Sequence, residues 1–314
     1  MRIVFMGTPD FSVQALEALI KANHQVVAVV TQPDKQRGRG KALQFTPVKE
    51  CATKYGIEVF QPVKIKTTEA VEQLKTYGAD LFVVVAFGQI LSQEILEMPK
   101  YGCINIHASL LPKYRGAAPI QWAIIDGEQE SGVTIMKMDE GLDTGDMMIK
   151  ESIVLDPRET GESLHDRLME LGGKLVIEAI DGIETGTITY TPQEDSHTCY
   201  AKMLTKSLGN IDFEKSAVEI ERLIRGLNSW PSAYTHFRQK TLKIWEAMVI
   251  SKEVVQGEDM EIGSIIEISK DSFIVQTGEG ALEIQEVQLE GKKRMKVRDF
   301  LLGNQLQVGE KLGI

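Results

Sequence analysis

Short apolar runs alternate with segments of helical periodicity through the N-terminal part of the chain, and this alternation most constrains its fold. The apolar runs fall at 2–6, 25–30, 57–60, 81–87 and 103–106, with further ones at 132–138 and 147–155. Between them apolar residues recur at helical spacing, as at Val13, Leu16 and Leu19, and a long helix is predicted over 160–180. Strands that alternate with helices form a parallel sheet covered on both faces. The pattern therefore predicts an α/β domain with a doubly wound, mostly parallel sheet.

The pattern changes after Gly182. Residues 185–212 are rich in threonine, glycine and polar residues, which is typical of a linker. A short helix at 217–227 is followed by apolar β segments separated by glycines, at 241–250, 262–268, 272–277 and 281–289. Short strands with such turns predict a smaller C-terminal antiparallel β-barrel, similar to an OB fold. We expect a Rossmann-like domain at 1–185, a linker at 186–207 and a barrel domain at 208–314.

The composition argues against several classes of protein. No apolar run approaches the length of a membrane-spanning helix, and Gly7 interrupts the first apolar run before the core of a signal peptide is complete. We therefore expect a cytoplasmic protein without a membrane partner. The three cysteines are scattered, which argues against a disulfide framework and a cysteine-based zinc site. The net charge of −10 argues against a surface covered by nucleic acid but allows local basic patches.

Two glycine-containing loops fail as nucleotide-binding motifs. The loop at 7–12 lacks the second and third glycines of a dinucleotide fingerprint, so a nicotinamide cofactor is not expected. Gly40 and Lys41 resemble the end of a phosphate loop, but Lys35 replaces its first glycine and Ala42 replaces its serine or threonine. Neither loop therefore indicates a bound nucleotide.

The segment from Cys103 to Pro112 carries the most chemical information. It reads as a strand that runs into a loop, and Asn105 and His107, two residues apart, project to the same face. They lie near the carboxyl end of the strand, where open parallel sheets bind ligands. An isolated Asn-x-His triplet more often holds a structural histidine, but the Ser-Leu-Leu-Pro-Lys-Tyr-Arg-Gly that follows favours a functional site.

Two nucleophilic alternatives do not fit the expected geometry. Cys103 and His107 are four strand residues apart, roughly 13 Å, which is too far for a thiol–imidazole pair. Ser109 lies close to His107 in sequence, but no Gly-x-Ser-x-Gly elbow places it on a strand-to-helix turn. Neither side chain is a convincing nucleophile.

A glycine-rich acidic loop at 139–146 follows a predicted strand. Most loops of this kind are turns with solvated acids. A metal site is a weaker interpretation, because no histidine or cysteine accompanies the acids and the spacing is not that of an EF-hand. The third interpretation places one acid in the cleft beside His107.

Two clusters of basic residues lie in different predicted domains. Residues 34–41 hold four basic residues against one acid, and residues 292–299 hold five against one. A solvated surface loop is the ordinary explanation for one such cluster. Two clusters on separate domains suggest a shared polyanionic partner.

With these motifs the chain resembles the folate-dependent formyltransferase family. The family's pattern is Asn105-x-His107, the Ser-Leu-Leu-Pro at 109–112, and Asp143 in a Gly-Leu-Asp-Thr-Gly loop. The branch that acts on transfer RNA is indicated by the basic loop after 32–34 and by further stretches at 5–11, 107–109, 115–119, 200–202 and 227–231. Ser229 stands where this branch is expected to have proline. The resemblance covers both predicted domains and is thinner after residue 240.

The resemblance implies a reaction without an enzyme nucleophile, in which an amine attacks the formyl carbon of 10-formyltetrahydrofolate. Asn105 and His107 would stabilise the negative charge on the formyl oxygen, and Asp143 would hold His107 charged and help remove the amine proton. The folate would act as a cosubstrate, with its pterin between 85–90 and 139–143, and no metal is implied. The implied folate contacts are Ser109, Leu110, Leu111 and Pro112.

The transfer RNA branch implies a particular acceptor, the amino group of methionine on initiator methionyl-tRNA, for use in translation initiation by a monomeric enzyme. Arg37, Arg39 and Lys41 would contact the tRNA. A formyltransferase acting on a nucleotide-linked amino sugar is the nearest alternative, and it would not need this basic loop. A non-catalytic RNA-binding protein is disfavoured by the complete Asn, His and Asp set. A formate-releasing hydrolase is disfavoured by the barrel and the basic clusters.

Overall fold

The chain folds into two compact units. The computed structural model describes residues 1–37, 42–250 and 260–313. The first unit comprises Met1–Pro119, Glu130–Val154 and His165–Ala201. The second comprises Ile120–Gln129, Leu155–Leu164 and Lys202–Ile314. The domain boundaries expected from the sequence, at 185 and 208, stay a prediction.

A seven-stranded sheet forms the centre of the first unit. The strands of this unit are β1 (Arg2–Gly7), β2 (Gln25–Val30), β3 (Lys35–Arg37), β4 (Ala42–Gln44), β5 (Val59–Phe60), β6 (Leu81–Val85), β7 (Cys103–His107), β8 (Arg115–Gly116), β9 (Glu130–Lys137), β10 (Met147–Val154) and β11 (Tyr200–Ala201). The large sheet has the order β10-β9-β7-β6-β1-β2-β5. Two small sheets pair β3 with β4 and β8 with β11.

Five adjacent strands of the large sheet are parallel. They are β7, β6, β1, β2 and β5. At one edge β9 pairs antiparallel with β7, and β10 pairs antiparallel with β9. The mostly parallel sheet predicted from the sequence is confirmed. Because parallel strands end at the same edge of a sheet, the loops after β1, β6 and β7 lie at one edge, which positions the candidate site.

Helices connect most of these strands. They are α1 (Val13–Lys21), α2 (Pro47–Lys54), α3 (Thr68–Thr76), α4 (Gln93–Leu96), α5 (Pro119–Ile125) and α6 (Gly161–Thr185). The last of them runs beyond the predicted end at residue 180. The helix α2 was not predicted, although Thr46 caps it by accepting a hydrogen bond from the backbone N–H of Lys49 at 3.1 Å. Pro47 occupies the first turn, where proline is favoured.

The core of the first unit lies along the central parallel strands. All five residues of β6 are buried, and so are five of the six residues of β1. Strands covered on both faces show such continuous apolar runs instead of alternation. Each buried Val, Leu or Ile side chain contributes about 1.5–3 kcal/mol to folding. Burial therefore holds the two strands in place and fixes the positions of the loops at their carboxyl ends.

An antiparallel sheet forms the second unit. Besides most of α5, it contains α7 (Ala217–Gly226), β12 (Ala233–Phe237), β13 (Lys240–Ile250), β14 (Ile265–Ile268), β15 (Phe273–Gln276), β16 (Ala281–Leu289), β17 (Met295–Lys296) and α8 (Val297–Gly303). Five strands pair in the order β12-β13-β16-β15-β14, and β17 pairs with β16. The antiparallel pairing predicted from the glycine-separated segments is confirmed, whereas closure into an OB-like barrel stays a prediction.

The helix α7 packs against the core of the second unit. It begins with a capping box in which Ser216 and Glu219 bond each other's backbone N–H groups, as expected for the start of a helix. Its apolar residues Ile220 and Ile224 are buried with Leu242 and Val287 of the sheet. The spacing of the two isoleucines, four residues apart, places them on one face of the helix.

Candidate active site

The strand β7 brings Asn105 and His107 to the carboxyl edge of the parallel sheet. Only 9% of Asn105 and 5% of His107 is exposed. The strand pairs with β6 on one side and β9 on the other, so its backbone is held along both edges. The two side chains share one neighbour, Asp143, as expected for positions two apart in a strand.

The carboxylate of Asp143 lies beside both side chains. Asn105 Nδ2 donates to Oδ1 at 3.4 Å, and His107 Nδ1 lies 3.6 Å from Oδ2. The backbone N–H of Gly116 also donates to Oδ2, at 2.8 Å. The structure therefore brings together the three polar residues of the family pattern from two distant parts of the chain.

The imidazole of His107 faces an acceptor at each ring nitrogen. Nε2 lies 2.9 Å from the carbonyl oxygen of Tyr114, and because a carbonyl only accepts, Nε2 carries a proton. Nδ1 faces the carboxylate of Asp143. A ring protonated at Nε2 alone would turn a lone pair toward this carboxylate, whereas a doubly protonated ring presents an N–H to both acceptors. The ring is therefore held at Nε2, and Nδ1 points to the carboxylate at a separation longer than a hydrogen bond.

The loop between β9 and β10 carries Asp143 and is built from close backbone contacts. The carboxylate of Asp139 accepts a hydrogen bond from the backbone N–H of Gly141 at 3.0 Å. A Cβ atom at Gly145 would lie 1.8 Å from the carbonyl oxygen of Lys137. Asp143 has a φ of +55°, a conformation that costs of order 1–3 kcal/mol for a non-glycine residue. The surrounding bonds must therefore hold Asp143 in place.

We expect Gly145→Ala to destabilise the first unit by about 1–3 kcal/mol, because the added methyl group must push two backbone segments apart. Turnover should fall as well, since the loop that moves carries Asp143. Gly303→Ala is the matched control, because a Cβ atom at Gly303 meets nothing within 4 Å. Urea unfolding followed by circular dichroism measures both variants, and equal midpoints would contradict the close approach of Gly145 and Lys137.

The four residues implied as folate contacts form a bonded loop after β7. Ser109 and Leu111 are buried, whereas Leu110 and Pro112 are half-buried. The hydroxyl of Ser109 donates to the carbonyl of Lys113 at 2.7 Å, and a threonine of β9 donates to the carbonyl of Ser109 at 2.7 Å. Leu110 and Pro112 therefore contribute to the surface of this loop, and Ser109 and Leu111 support it from within.

The loop after β6 is braced at the same edge of the sheet. Thr8 Oγ1 and Gln32 Nε2 both donate to the carbonyl oxygen of Phe87, at 3.0 and 3.1 Å. The hydroxyl of Ser12 donates to the carbonyl of Val85 at 2.7 Å. These bonds join the loops that follow β1, β2 and β6, and they leave Ile90 71% exposed. An apolar side chain is therefore exposed at the same edge of the sheet as Asn105, His107 and Asp143.

Two residues that hold the Asp143 loop were missed in the sequence. Gln193 Nε2 donates to the carbonyl oxygens of Asp143 and Gly145, at 2.9 and 2.7 Å. Its Oε1 accepts from Arg115 Nε at 2.9 Å. A single glutamine within a polar stretch predicted as a linker gives no signal at the level of sequence. Arg115 lies in the stretch 115–119 that resembles the transfer RNA branch, but the resemblance implied no role for this residue.

The nucleophile alternatives find no support in the structure. Cys103 is 1% exposed, and burial raises the pKa of its thiol to about 12. The thiol donates to the carbonyl of Ile95, with 3.6 Å between sulfur and oxygen. A thiol with this pKa is protonated at neutral pH and is a poor nucleophile. The hydroxyl of Ser109 is committed to a backbone carbonyl within its own loop.

The basic loop at 34–41 lies only partly within the described residues. Arg37 ends β3, whereas Arg39 and Lys41 lie outside them. At the base of the β3–β4 hairpin, Lys49 Nζ donates to Asp34 Oδ2 at 2.5 Å. This hydrogen bond holds the pKa of Asp34 below its ordinary value. The base of the hairpin is therefore tied to α2.

The basic cluster of the second unit is partly paired with acids. Arg294 forms an ion pair with Glu286 at 2.5 Å, and Lys296 forms one with Glu246 at 2.7 Å. The guanidinium of Arg294 also lies 4.7 Å from the centre of the Trp245 ring, within the range of a cation–π interaction. The cluster thus combines cations with an aromatic face.

The described residues are 1–37, 42–250 and 260–313. Within these ranges no group of three or more His, Cys, Asp or Glu side chains is placed to hold a metal ion. Within the same ranges no helix has the length and apolar character needed to cross a membrane.

Residues 1–180 match the family model described as formyl transferase, and residues 203–305 match the one described as formyl transferase, C-terminal domain. The chain belongs to the formyl transferase family.

The chain is similar to curated proteins named methionyl-tRNA formyltransferase. One from Agathobacter rectalis is 59% identical over 309 residues, which is 98% of each chain, and one from Lachnospira eligens is 57% identical over 314 residues, 100% of each. A solved N-formyltransferase from Helicobacter canadensis, in complex with folinic acid and dTDP-3-aminofucose, is 21% identical. It covers 93% of this chain and 99% of its own with a TM-score of 0.65, a likeness in fold alone.

Proposed function

We propose that this protein transfers the formyl group of 10-formyltetrahydrofolate to the amino group of methionine on initiator methionyl-tRNA, as a monomeric enzyme of the cytoplasm. The observation that carries the proposal is the convergence of Asn105, His107 and Asp143 at the sheet edge of a formyl transferase. The tRNA acceptor is supported by full-length relatives that share more than half of their residues with this chain.

The chemistry needs charge stabilisation and the removal of one proton. The amine nitrogen forms a bond to the formyl carbon, and negative charge develops on the formyl oxygen. The bond between that carbon and N10 of the folate then breaks. The proton lost by the amine balances the proton gained by N10, so no oxidant or metal is consumed. What the protein must supply is a set of donors beside the oxygen and a base beside the amine.

Asn105 and His107 are the proposed donors. An amide carries two N–H groups, and the bond to Asp143 engages one of them. His107 would donate through its Nδ1–H, because Nε2 is committed to the carbonyl of Tyr114 and the 3.6 Å between Nδ1 and Asp143 Oδ2 is longer than a hydrogen bond. Preorganised donors of this kind stabilise the tetrahedral species and need no rearrangement during the reaction.

Asp143 is proposed to keep His107 charged and to assist loss of the amine proton. Its Oδ2 already accepts from the backbone N–H of Gly116 and faces His107 Nδ1. The backbone of Asp143 itself has a strained φ, which persists only where surrounding contacts hold the residue in place. Such a fixed position suits a carboxylate that must stay beside His107.

The residues at this edge fit a folate. The loop at 109–112 offers the half-buried apolar surfaces of Leu110 and Pro112, and Ile90 and Leu142 are 71% and 60% exposed. Apolar surfaces beside a few fixed polar groups are typical of sites for flat organic ligands. The folate contacts proposed are Ser109, Leu110, Leu111 and Pro112, with Ser109 and Leu111 acting as supports for the other two.

The tRNA is proposed to lie against basic residues of both parts of the chain. Arg37 ends β3, whose base is bonded through Asp34 to Lys49, and Arg39 and Lys41 follow it in sequence, outside the described residues. Residues 292–298 supply the second basic cluster, within the proposed C-terminal domain at 208–314. Since basic side chains contact phosphates without regard to sequence, these clusters would position the tRNA instead of reading its bases.

An acceptor assay tests the proposed function. The purified protein is given 10-formyltetrahydrofolate with charged initiator tRNA, with uncharged initiator tRNA, or with a dTDP-linked amino sugar. We expect formyl transfer to the charged tRNA alone, since the uncharged tRNA has the same phosphates and no amino acid. Transfer to the amino sugar without transfer to the tRNA would overturn the proposal and favour a nucleotide-linked amino sugar as the acceptor.

A further inference from the structure

The stretch between α6 and the second family region is bonded into the first unit. Within residues 186–201, β11 pairs in parallel with β8, and the carbonyl of Cys199 accepts from the backbone N–H of Arg115 at 3.0 Å. A Cβ atom at Gly116 would lie 2.8 Å from the carbonyl of Ala201, so the two strands approach closely. This stretch therefore pairs with the segment whose residues Tyr114 and Gly116 bond to His107 and Asp143.

Gln193 is the point where this stretch meets the Asp143 loop. Its amide nitrogen donates to two carbonyl oxygens of the loop, at 2.9 and 2.7 Å. Its amide oxygen accepts from Arg115, a residue that is 2% exposed. The partners settle the orientation of the amide, because the reversed amide would face two carbonyls with oxygen and a guanidinium with nitrogen.

Arg115 is in turn fixed from several sides. Its Nη2 lies 2.9 Å from Oδ1 of Asp195, and its backbone N–H donates to the carbonyl oxygen of Cys199. The residues on either side of it both act on the site. Tyr114 supplies the carbonyl that accepts from His107, and Gly116 supplies the N–H that donates to Asp143.

We propose that Gln193, oriented by Arg115, is a positioning residue that sets the carboxylate of Asp143 relative to His107. The inference rests on the proposed function, because it assigns Gln193 a part in that reaction. Asp143 has an unfavourable φ, and its loop relaxes when the two carbonyls lose their donor. Gln193 acts through Asp143 and has no contact of its own with the reacting atoms in the proposed mechanism.

Gln193→Glu is the sharpest probe. The substitution keeps the size of the side chain and its bond to Arg115, but it turns an oxygen toward the two carbonyls of the loop. Gln193→Ala removes the same donors without introducing repulsion. A small displacement of a reacting group lowers rates by up to about a hundredfold, so we expect kcat to fall roughly tenfold to a hundredfold in both variants. The KM for methionyl-tRNA should stay within about twofold, since that substrate's binding does not change.

A second measurement separates positioning from a general structural role. The protein has five histidines, so ring-labelled imidazoles can be followed individually by nitrogen NMR. We expect the signal of His107 to move in both Gln193 variants and in Asp143→Asn, and to stay in place in the control Gln93→Ala. Gln93 is an exposed residue of α4, and among the described contacts its side chain bonds only to Glu97. Thermal unfolding confirms that each variant is folded.

The outcomes are distinct. A lower kcat with a shifted His107 signal in either folded variant supports the inference. An unchanged kcat in a folded variant overturns it, and so does a lower kcat with an unmoved His107 signal, because the loss would then not pass through Asp143. If the wild-type protein fails to formylate methionyl-tRNA while the His107 signal still moves in the variants, the proposed function fails and the positioning role stands.

Discussion

Replacing His107 by alanine is expected to lower kcat by about 10²–10³, because one preorganised donor to the developing oxyanion is lost. Asn105→Ala should give a loss of the same order for the same reason. Asp143→Ala should also cripple turnover, since it removes the acceptor that faces His107 Nδ1 and bonds Asn105 Nδ2. The three variants act on one transition state, so their combined effect should be smaller than the product of the separate effects.

His24→Ala is the matched control for this series. His24 lies just before β2, at the opposite end of the strands from the site, and is partly buried. Steady-state formylation with charged initiator tRNA measures all four variants, and circular dichroism shows that each is folded. Turnover by folded His107→Ala close to that of His24→Ala would contradict the assignment of the donors.

The triple substitution of Arg37, Arg39 and Lys41 by alanine is expected to weaken use of methionyl-tRNA strongly. Releasing one counterion per phosphate contact favours binding by roughly eightfold at 0.1 M salt, so three lost contacts should lower kcat/KM for tRNA by about 10²–10³. Each lost contact should also reduce the slope of log kcat/KM against log salt concentration by about one. Binding of the folate should be unchanged, because the site at the sheet edge keeps all of its residues.

A control with the same change in charge distinguishes a local contact from the overall field. Lys21, Lys54 and Lys75 are exposed lysines of the first unit that pair with glutamates on helices. Their triple replacement by alanine removes three positive charges elsewhere. If both triple variants lose tRNA use and salt dependence equally, the basic loop is not a specific contact. A loop variant with normal tRNA kinetics would contradict the proposal directly.

The architecture of the first unit was predictable because its physical signals are local. Buried parallel strands show as continuous apolar runs, and β1, β2, β6 and β7 all lie where such runs occur. The pair Asn105 and His107 followed from period-two alternation in β7. The antiparallel strands of the second unit followed from glycine-separated β segments, although β14 begins at Ile265, later than the predicted 262.

Other features depend on contacts between residues far apart in sequence, which no local pattern reports. That Asp143 lies beside His107 depends on the antiparallel addition of β9 to β7. The role of Gln193 depends on a bond across 78 residues to Arg115. The helix α2 was missed for a different reason: its start signals, Thr46 at the cap and Pro47 in the first turn, are local, but no element was assigned to this stretch of the sequence.

The pairing of β11 with β8 has a consequence for how members of this family can be recombined. A chimera that joins this chain at residue 185 to the C-terminal part of another transferase would also replace Gln193 and the strand beside Arg115. Such a hybrid removes the contacts that hold the Asp143 loop at the same time as it exchanges the C-terminal part of the chain, so the two effects would be confounded. A junction placed after Ala201 keeps the bonds to Asp143 and Gly145. A junction between Ala201 and Lys202 therefore tests what the C-terminal part contributes without disturbing the support of Asp143.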